Sequence, residues 1–340
     1  MNVLIAAEKP SISRAIAPAV RKHWPDADIT FVHVVPYATI GFRYPRGLTW
    51  HEFPLVSEPV DRLAPWAEWP CPPYIMSAGG ALSSGSMDRG LFTAADLIVC
   101  ACDPDHTGAV AFDVLMRQVF GDDRARDCPA LKIQTFDAAA IERALANLQP
   151  FGQACSASLA YGRVKRYFDW NWNVNGLAIL GEAQRRAGVT AGGPPLSKYT
   201  LQLLYGLRHA SRVQPTRLSP PRLPQTDGDV VSLMQAWPGT GRHTAQPGGG
   251  LSQLGSPASR MAIIDNLDKA GLLDRVQVSR RRGLQVSERG HALLGLLHPG
   301  CEDADLPFRL HAWCEQGEES KPAIDRYIKT FFGKQKRFMQ

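Results

Sequence analysis

Two unbroken apolar runs, Asn2 to Ala7 (NVLIAA) and Leu97 to Cys102 (LIVCAC), dominate the hydrophobic pattern of this chain. Each is short and ends in charge, the pattern of a strand covered on both faces in a parallel sheet. Glu8-Lys9-Pro10-Ser11 follows the first run, and Ile12 to Val20 then places apolar residues at helical spacing, with Ser11 as the predicted cap. Asp103-Pro104-Asp105 and Gly108 follow the second, and Val110 to Val119 predicts a helix. Strand, charged turn and helix therefore occur twice. If the two strands are neighbours, Glu8 joins Asp103 and Asp105 at the carboxyl edge of one sheet, where open α/β sheets place their ligands.

Carboxylates this close repel one another, so a cation or a proton is expected among them. Oxygen donors with room for water and phosphate suit Mg²⁺. Three carboxylates with Lys9 make a metal and phosphate site. Asp105 also fits the cap of the helix that follows it, and these residues leave both roles open.

Residues 21–95 predict mixed strands and loops, with His33, His51 and the tryptophans as packing residues. Residues 131–148 predict strand then helix, capped by Asp137, with Ile141, Ala144, Leu145 and Leu148 on one face. Residues 156–190 predict one long helical region or two. Within it, Arg163, Lys165 and Arg166 alternate with Tyr167, Phe168, Trp170 and Trp172. Basic residues that hold phosphates and aromatic faces that stack on bases are how single strands are bound without sequence choice. An amphipathic helix with a solvated basic face would carry the same pattern. Residues 206–254 are rich in Pro, Gly, Ser and Thr and predict a poorly ordered linker. Beyond it, Ser256-Pro257 predicts the start of a helix with Met261, Ile263, Ile264 and Leu267 on its apolar face and Gly271 at its end. A β-hairpin through Val276, Val278 and Leu284 to Val286 follows, with Arg280, Arg281 and Arg282 at its tip, then a second helix from His291 to Leu297. The basic tail from Lys334 to Arg337 is expected to fray.

LIAAEKPSISRAIA resembles the opening of the toprim domain of type IA DNA topoisomerases, the topoisomerase III branch in particular, and ACDPDHTGAVAF resembles that family's DPDREGE segment. Thr107 and Ala109 stand where the family has acids, and His106 replaces an arginine. Asp169 to Asn175 is similar to the family's ADWLVGIN, Pro195 to Leu201 loosely to RVQTPTLALI, and Leu254 to Arg260 closely to LGTPATR. Aligned on TYPRTDS, the segment from Arg222 to Gly228 puts Leu223 at the nucleophilic tyrosine and Gln225 at its assisting arginine. Arg242 to Pro247 resembles HxAIxP, which would keep its histidine at His243.

The resemblance implies an α/β toprim domain, a parallel sheet with helices on both faces, over residues 1–150. It further implies a mainly helical, winged-helix-like DNA-binding base over 151–205 and 251–340, with 206–250 a remnant of the gate and tyrosine region. It also implies Mg²⁺ on Glu8, Asp103 and Asp105, chemistry at Glu8, Lys9, Asp103, Asp105 and His243, and single-stranded DNA on Arg163, Lys165, Arg166, Trp170 and Arg260. The intervals in which the family builds its gate are too short here to form domains, so strand passage is expected to be lost or weak. Two alternatives stay open: an active DNA topoisomerase or nicking-closing enzyme with a relocated tyrosine, Tyr199 or Tyr205 being nearest, and a non-enzymatic DNA-binding scaffold with replication or conjugation partners.

The 340 residues allow two or three domains, and a net charge of +6 agrees with nucleic acid without requiring it. Seven cysteines include no CxxC pair, and Cys100 and Cys102 read as small core residues. Glu8 and Lys9 interrupt the first apolar run, and no run approaches the ~18 residues that span a bilayer. A soluble, cytoplasmic protein is the expectation.

Overall fold

The computed structural model of the chain describes residues 1–121, 123–189, 196–212, 226–240, 253–278 and 281–340. It divides into two compact units, one of Met1–Tyr44 with Pro59–Arg166, the other of Pro45–Glu58 with Tyr167–Gln340. The division falls inside the helix Ser156–Asn175, later in the chain than the Phe151 at which a boundary was expected.

The first unit is built on a mixed seven-stranded sheet. Its strands are β1 (Asn2–Ala7), β2 (Asp28–His33), β5 (Tyr74–Met76), β6 (Leu82–Ser84), β7 (Leu97–Ala101), β8 (Pro129–Ala130) and β9 (Gln149–Pro150), in the order β6-β5-β2-β1-β7-β8-β9. A separate pair is formed by β3 (Ile40–Phe42) and β4 (Asp61–Leu63). β1 pairs in parallel with β2 and with β7, and β7 with β8, while the outer pairs β2–β5, β5–β6 and β8–β9 are antiparallel.

The central strand is buried on both sides, as its unbroken apolar run predicts. Val3, Ile5 and Ala7 share one core with Ile12, Ile16 and Val20 of the helix Pro10–His23 and with Ile141 and Leu145 of the helix Ala138–Ala146. Leu4 and Ala6 share the other with Phe112, Leu115, Met116 and Val119 of the helix His106–Phe120. The side-chain period of two along a strand sends alternate residues to opposite layers.

Asp137 caps its helix as expected, and the helix expected from His291 begins earlier, at Glu288, capped by Ser287, whose hydroxyl accepts from Gly290 N at 3.0 Å. Two more helices start elsewhere. Ser11 lies inside its helix, which begins with Pro10 after an extended Lys9 and has no side-chain cap. The helix expected to start at Ser256-Pro257 runs Arg260–Lys269, because Ser256 through Ser259 first make a turn in which the Ser256 carbonyl accepts from Ser259 N and Arg260 N. The strand predicted after residue 131 is instead β8, just before it.

In the second unit the helix Ser156–Asn175 continues through a π turn, Gly176–Leu180, into Gly181–Arg186. Further helices are Lys198–Arg212, Asp227–Gln235 and Arg260–Lys269, then an antiparallel hairpin of β10 (Leu273–Val278) and β11 (Arg281–Val286), then Glu288–Gly295, Leu306–Gln316 and Lys321–Phe338. Phe168, Trp172, Trp313, Tyr327, Phe331 and Phe332 form one aromatic cluster, in which Phe168 stacks on Trp172 and the other cited pairs meet tilted or edge-on. The tail expected to fray is part of the last helix. Phe331 and Phe332 are buried, and Lys336 donates to the Phe53 carbonyl at 2.8 Å. Among the described residues no helix is long and apolar enough to cross a membrane.

Candidate functional site

Ala7 lies opposite Ala101 in the β1–β7 register, so the residues that leave the two strands do so side by side at one sheet edge. Glu8 Oε2 accepts the Asp103 N–H at 3.3 Å, and Lys9 Nζ lies 3.5 Å from Asp103 Oδ2. Asp105, in extended conformation, caps the helix His106–Phe120: its Oδ1 accepts from Thr107 N at 2.8 Å and Gly108 N at 2.9 Å. The backbone presses so close here that a Cβ on Gly108 would stand 2.3 Å from the Asp103 carbonyl oxygen and 3.1 Å from Glu8 Oε2. Only glycine lets the helix start against the turn.

Burial, and then the charges of Asp103 and Asp105, push the Glu8 carboxyl up to about 7, against the pull of the Asp103 N–H and the Lys9 ammonium. At neutral pH a proton is therefore shared with solvent at this carboxyl. The Cys102 thiol is pushed well up, first by its contact with the Cys100 thiol and then by burial, which keeps it neutral and a poor ligand. Among the described residues no two cysteines form a disulfide.

The oxygen donors and excess negative charge have the chemistry Mg²⁺ requires. Their arrangement is not a gathered ligand set, since Asp105 caps a helix, Asp103 faces Lys9 and Glu8 accepts a backbone N–H. Among the described residues no group of three or more His, Cys, Asp or Glu side chains is placed to hold a metal ion.

The acidic turn is braced by residues that no local pattern announced. Ser158 Oγ donates to the Pro104 carbonyl at 3.4 Å, and the His106 and Tyr161 rings lie 5.0 Å apart. A Cβ on Gly162 would meet the His106 carbonyl oxygen at 2.6 Å and Val110 Cγ2 at 2.4 Å, so this glycine sets how closely the two helices approach. A lone glycine inside a helical pattern was the available signal. Ser13 Oγ and His33 Nε2 are 3.0 Å apart and His33 Nδ1 lies 2.8 Å from the Pro72 carbonyl oxygen, and both Ser13 and His33 are buried, so His33 is the packing residue the sequence implies.

The structure gives the residues expected to contact DNA other work. Trp170 is 1% exposed and its indole N–H donates to Ser57 Oγ at 3.0 Å, which leaves no face for a base. Arg163 donates to Asp113 at 3.0 and 3.3 Å. Arg166 donates to Asp61 at 2.6 Å and to the Gly41 carbonyl at 2.7 Å, with its guanidinium 4.1 Å from the Phe42 ring centre. Arg260 is buried and paired with Gln253. Lys165 is half-buried. The basic–aromatic helix is thus largely a packing element, with Arg163 and Arg166 paired to carboxylates of the chain itself.

His243, Leu223, Gln225 and Arg280 lie outside the described residues, as do the side chains of Arg281 and Arg282. Thr226 and Asp229 form a capping box at the start of the helix Asp227–Gln235. Tyr205 is 3% exposed, its hydroxyl has no hydrogen-bond partner among the described residues, and burial pushes its pKa up, all of which oppose a nucleophilic role. The Tyr199 ring lies under the Lys198 ammonium at 4.6 Å.

No protein-family model matches this chain, and no curated protein matches it.

Proposed function

We propose that this chain is a DNA-binding protein related to type IA topoisomerases, with a toprim-like sheet edge that takes a phosphodiester and a winged-helix-like helix–hairpin–helix region that adds to the DNA surface. The observation that carries the reading is the pairing of Glu8 with Asp103 across neighbouring parallel strands, with Lys9 beside them and Glu8 held at about 7. A carboxyl poised near neutrality can give or take a proton at a phosphate oxygen. Lys9, half-exposed, supplies positive charge to the same phosphate. Glu8, Asp103 and Asp105 are the donors that would hold Mg²⁺ once they leave the backbone N–H, the lysine and the helix N-terminus they engage here, and the ion when bound would neutralise charge at the phosphate.

Strand passage is not part of the proposal. Leu223, at the position of the family's tyrosine, has no atom that attacks phosphorus, and the Tyr205 hydroxyl is buried. The burial of Trp170 moves the expected DNA contacts away from that ring and toward the sheet edge and the hairpin. The test is fluorescence anisotropy with a labelled single-stranded oligonucleotide at low and high salt, run beside plasmid relaxation with a denaturing gel for a covalent adduct. Salt-sensitive binding without relaxation or adduct is expected. No binding at low salt overturns the reading, and an adduct abolished by Tyr199→Phe replaces it with a nicking-closing enzyme.

A further inference from the structure

The parallel register brings a third strand end to the acidic turn. His33 lies opposite Ala7 in the β1–β2 register, and Val34 N donates to the Ala7 carbonyl at 2.7 Å. The chain therefore leaves β2 beside Glu8, at the same sheet edge from which Glu8 and Asp103 emerge. Neighbouring strands lie about 4.8 Å apart and each residue advances at most about 3.6 Å, so the backbone of Tyr37 stands within about 16 Å of that of Glu8.

Tyr37 is 86% exposed, more than any other large hydrophobic side chain among the described residues. Its backbone, by contrast, is pinned in the short helix Pro36–Thr39. The Val35 carbonyl accepts from Ala38 N at 3.0 Å, from Thr39 N at 2.8 Å and from Thr39 Oγ1 at 2.8 Å. Thr39 is fully buried, and its carbonyl accepts from Ala64 N at 2.8 Å. This short helix lies against the helix His106–Phe120, which starts at the acidic turn. A ring left in water on a fixed backbone has few torsions to lose when a planar group lands on it.

One exposed apolar residue is ordinary on a protein surface; the place of this one is what gives it meaning. Lys9, half-exposed, offers positive charge at the same edge. A cation for a phosphate and, a short stretch of strand away, an aromatic face for a base are the two elements that hold single strands without sequence choice.

We propose that Tyr37 is the base-stacking residue of this edge, binding an unpaired base next to the phosphate held at Lys9 and so favouring single-stranded over duplex DNA. The proposal rests on the DNA-binding reading above. In a duplex the bases are already stacked on one another, so the ring gains a partner only where a base is unpaired.

Fluorescence anisotropy in buffer containing Mg²⁺, which keeps the carboxylates from repelling the probe, tests this. The probes are a labelled single-stranded oligonucleotide, the same strand annealed to its complement, and an abasic strand of equal length. Tyr37→Ala should weaken binding of the ordinary single strand about 5- to 140-fold. It should leave the abasic strand and the duplex unchanged. Tyr37→Phe keeps the ring and should keep most of the affinity. Lys9→Ala should weaken all three probes and lower the salt slope on the single strand by about 0.7. Binding by the wild type that Tyr37→Ala leaves intact, or a loss equal on all three probes, overturns the role of Tyr37 while the DNA-binding reading stands. Absence of binding by the wild type overturns both.

Discussion

Glu8 accepts the backbone N–H of Asp103 at 3.3 Å across two strands that lie far apart in sequence and adjacent in the sheet. This bond favours the ionised carboxylate, yet burial and two aspartates outweigh it and lift Glu8 to about 7. The folded chain therefore binds a proton more tightly at Glu8 than the unfolded chain, whose carboxyl titrates near 4.5. Stability from this group is present below the unfolded value and is lost as pH rises through the folded one. Glu8→Gln should stabilise the protein at pH 8 by ~1–2 kcal/mol after allowance for solvent screening. The gain should vanish near pH 4. Urea denaturation across that range checks this, and a gain independent of pH would reject the assignment.

Mg²⁺ should displace that proton. Titration calorimetry at pH 7 in two buffers of different ionisation enthalpy should give different apparent heats, because binding releases a proton from Glu8. Asp103→Asn and Asp105→Asn should both abolish the heat. Asparagine is chosen at 105 because it still caps the helix, whereas alanine would cost about 1 kcal/mol of stability as well. Equal heats in both buffers, or unchanged heats in the variants, would exclude the site.

Two glycines should be intolerant of a methyl group for steric reasons alone. A Cβ at Gly108 would stand 2.3 Å from the Asp103 carbonyl oxygen, and one at Gly162 would stand 2.4 Å from Val110 Cγ2. Gly108→Ala and Gly162→Ala should each destabilise the chain by about 1–3 kcal/mol or more. Gly121→Ala meets no atom within 4 Å, but its φ of +78° separates backbone conformation from crowding as the cause. Gly295→Ala, with neither crowding nor a positive φ, is the control and should be neutral or stabilising.

Trp170→Ala should lower stability by about 3–5 kcal/mol, the cost of a large buried side chain. Affinity for single-stranded DNA, measured where the variant remains folded, should be unchanged. A loss of affinity without loss of stability would restore Trp170 as a stacking residue.

Tyr205→Phe removes a buried hydroxyl with no hydrogen-bond partner among the described residues. Its effect on stability should lie between zero and a gain of about 1 kcal/mol. Destabilisation by thermal or urea melts would show that the hydroxyl has a partner in solution.

The sequence by itself determined the local elements and the acidic edge. The continuous runs Asn2–Ala7 and Leu97–Ala101 can be buried only as central strands, and the charges that end them must then emerge at one edge. Asp105 and Asp137 were legible as caps because capping depends on the next three residues alone. The helix from Ser156 was legible as a helix, but its basic–aromatic pattern is the same for a face that meets nucleic acid and for one that meets its own chain. Only tertiary structure supplied Asp113 for Arg163, Asp61 for Arg166 and Ser57 for Trp170, partners tens of residues away. It also decided the roles of Asn171 and Asn175, which read as ordinary polar positions until the segment around Leu55 and Ser57 is laid against them. Periodicity records which side of an element is covered. What covers it depends on contacts between residues distant in the chain, and these form only when the whole chain has folded.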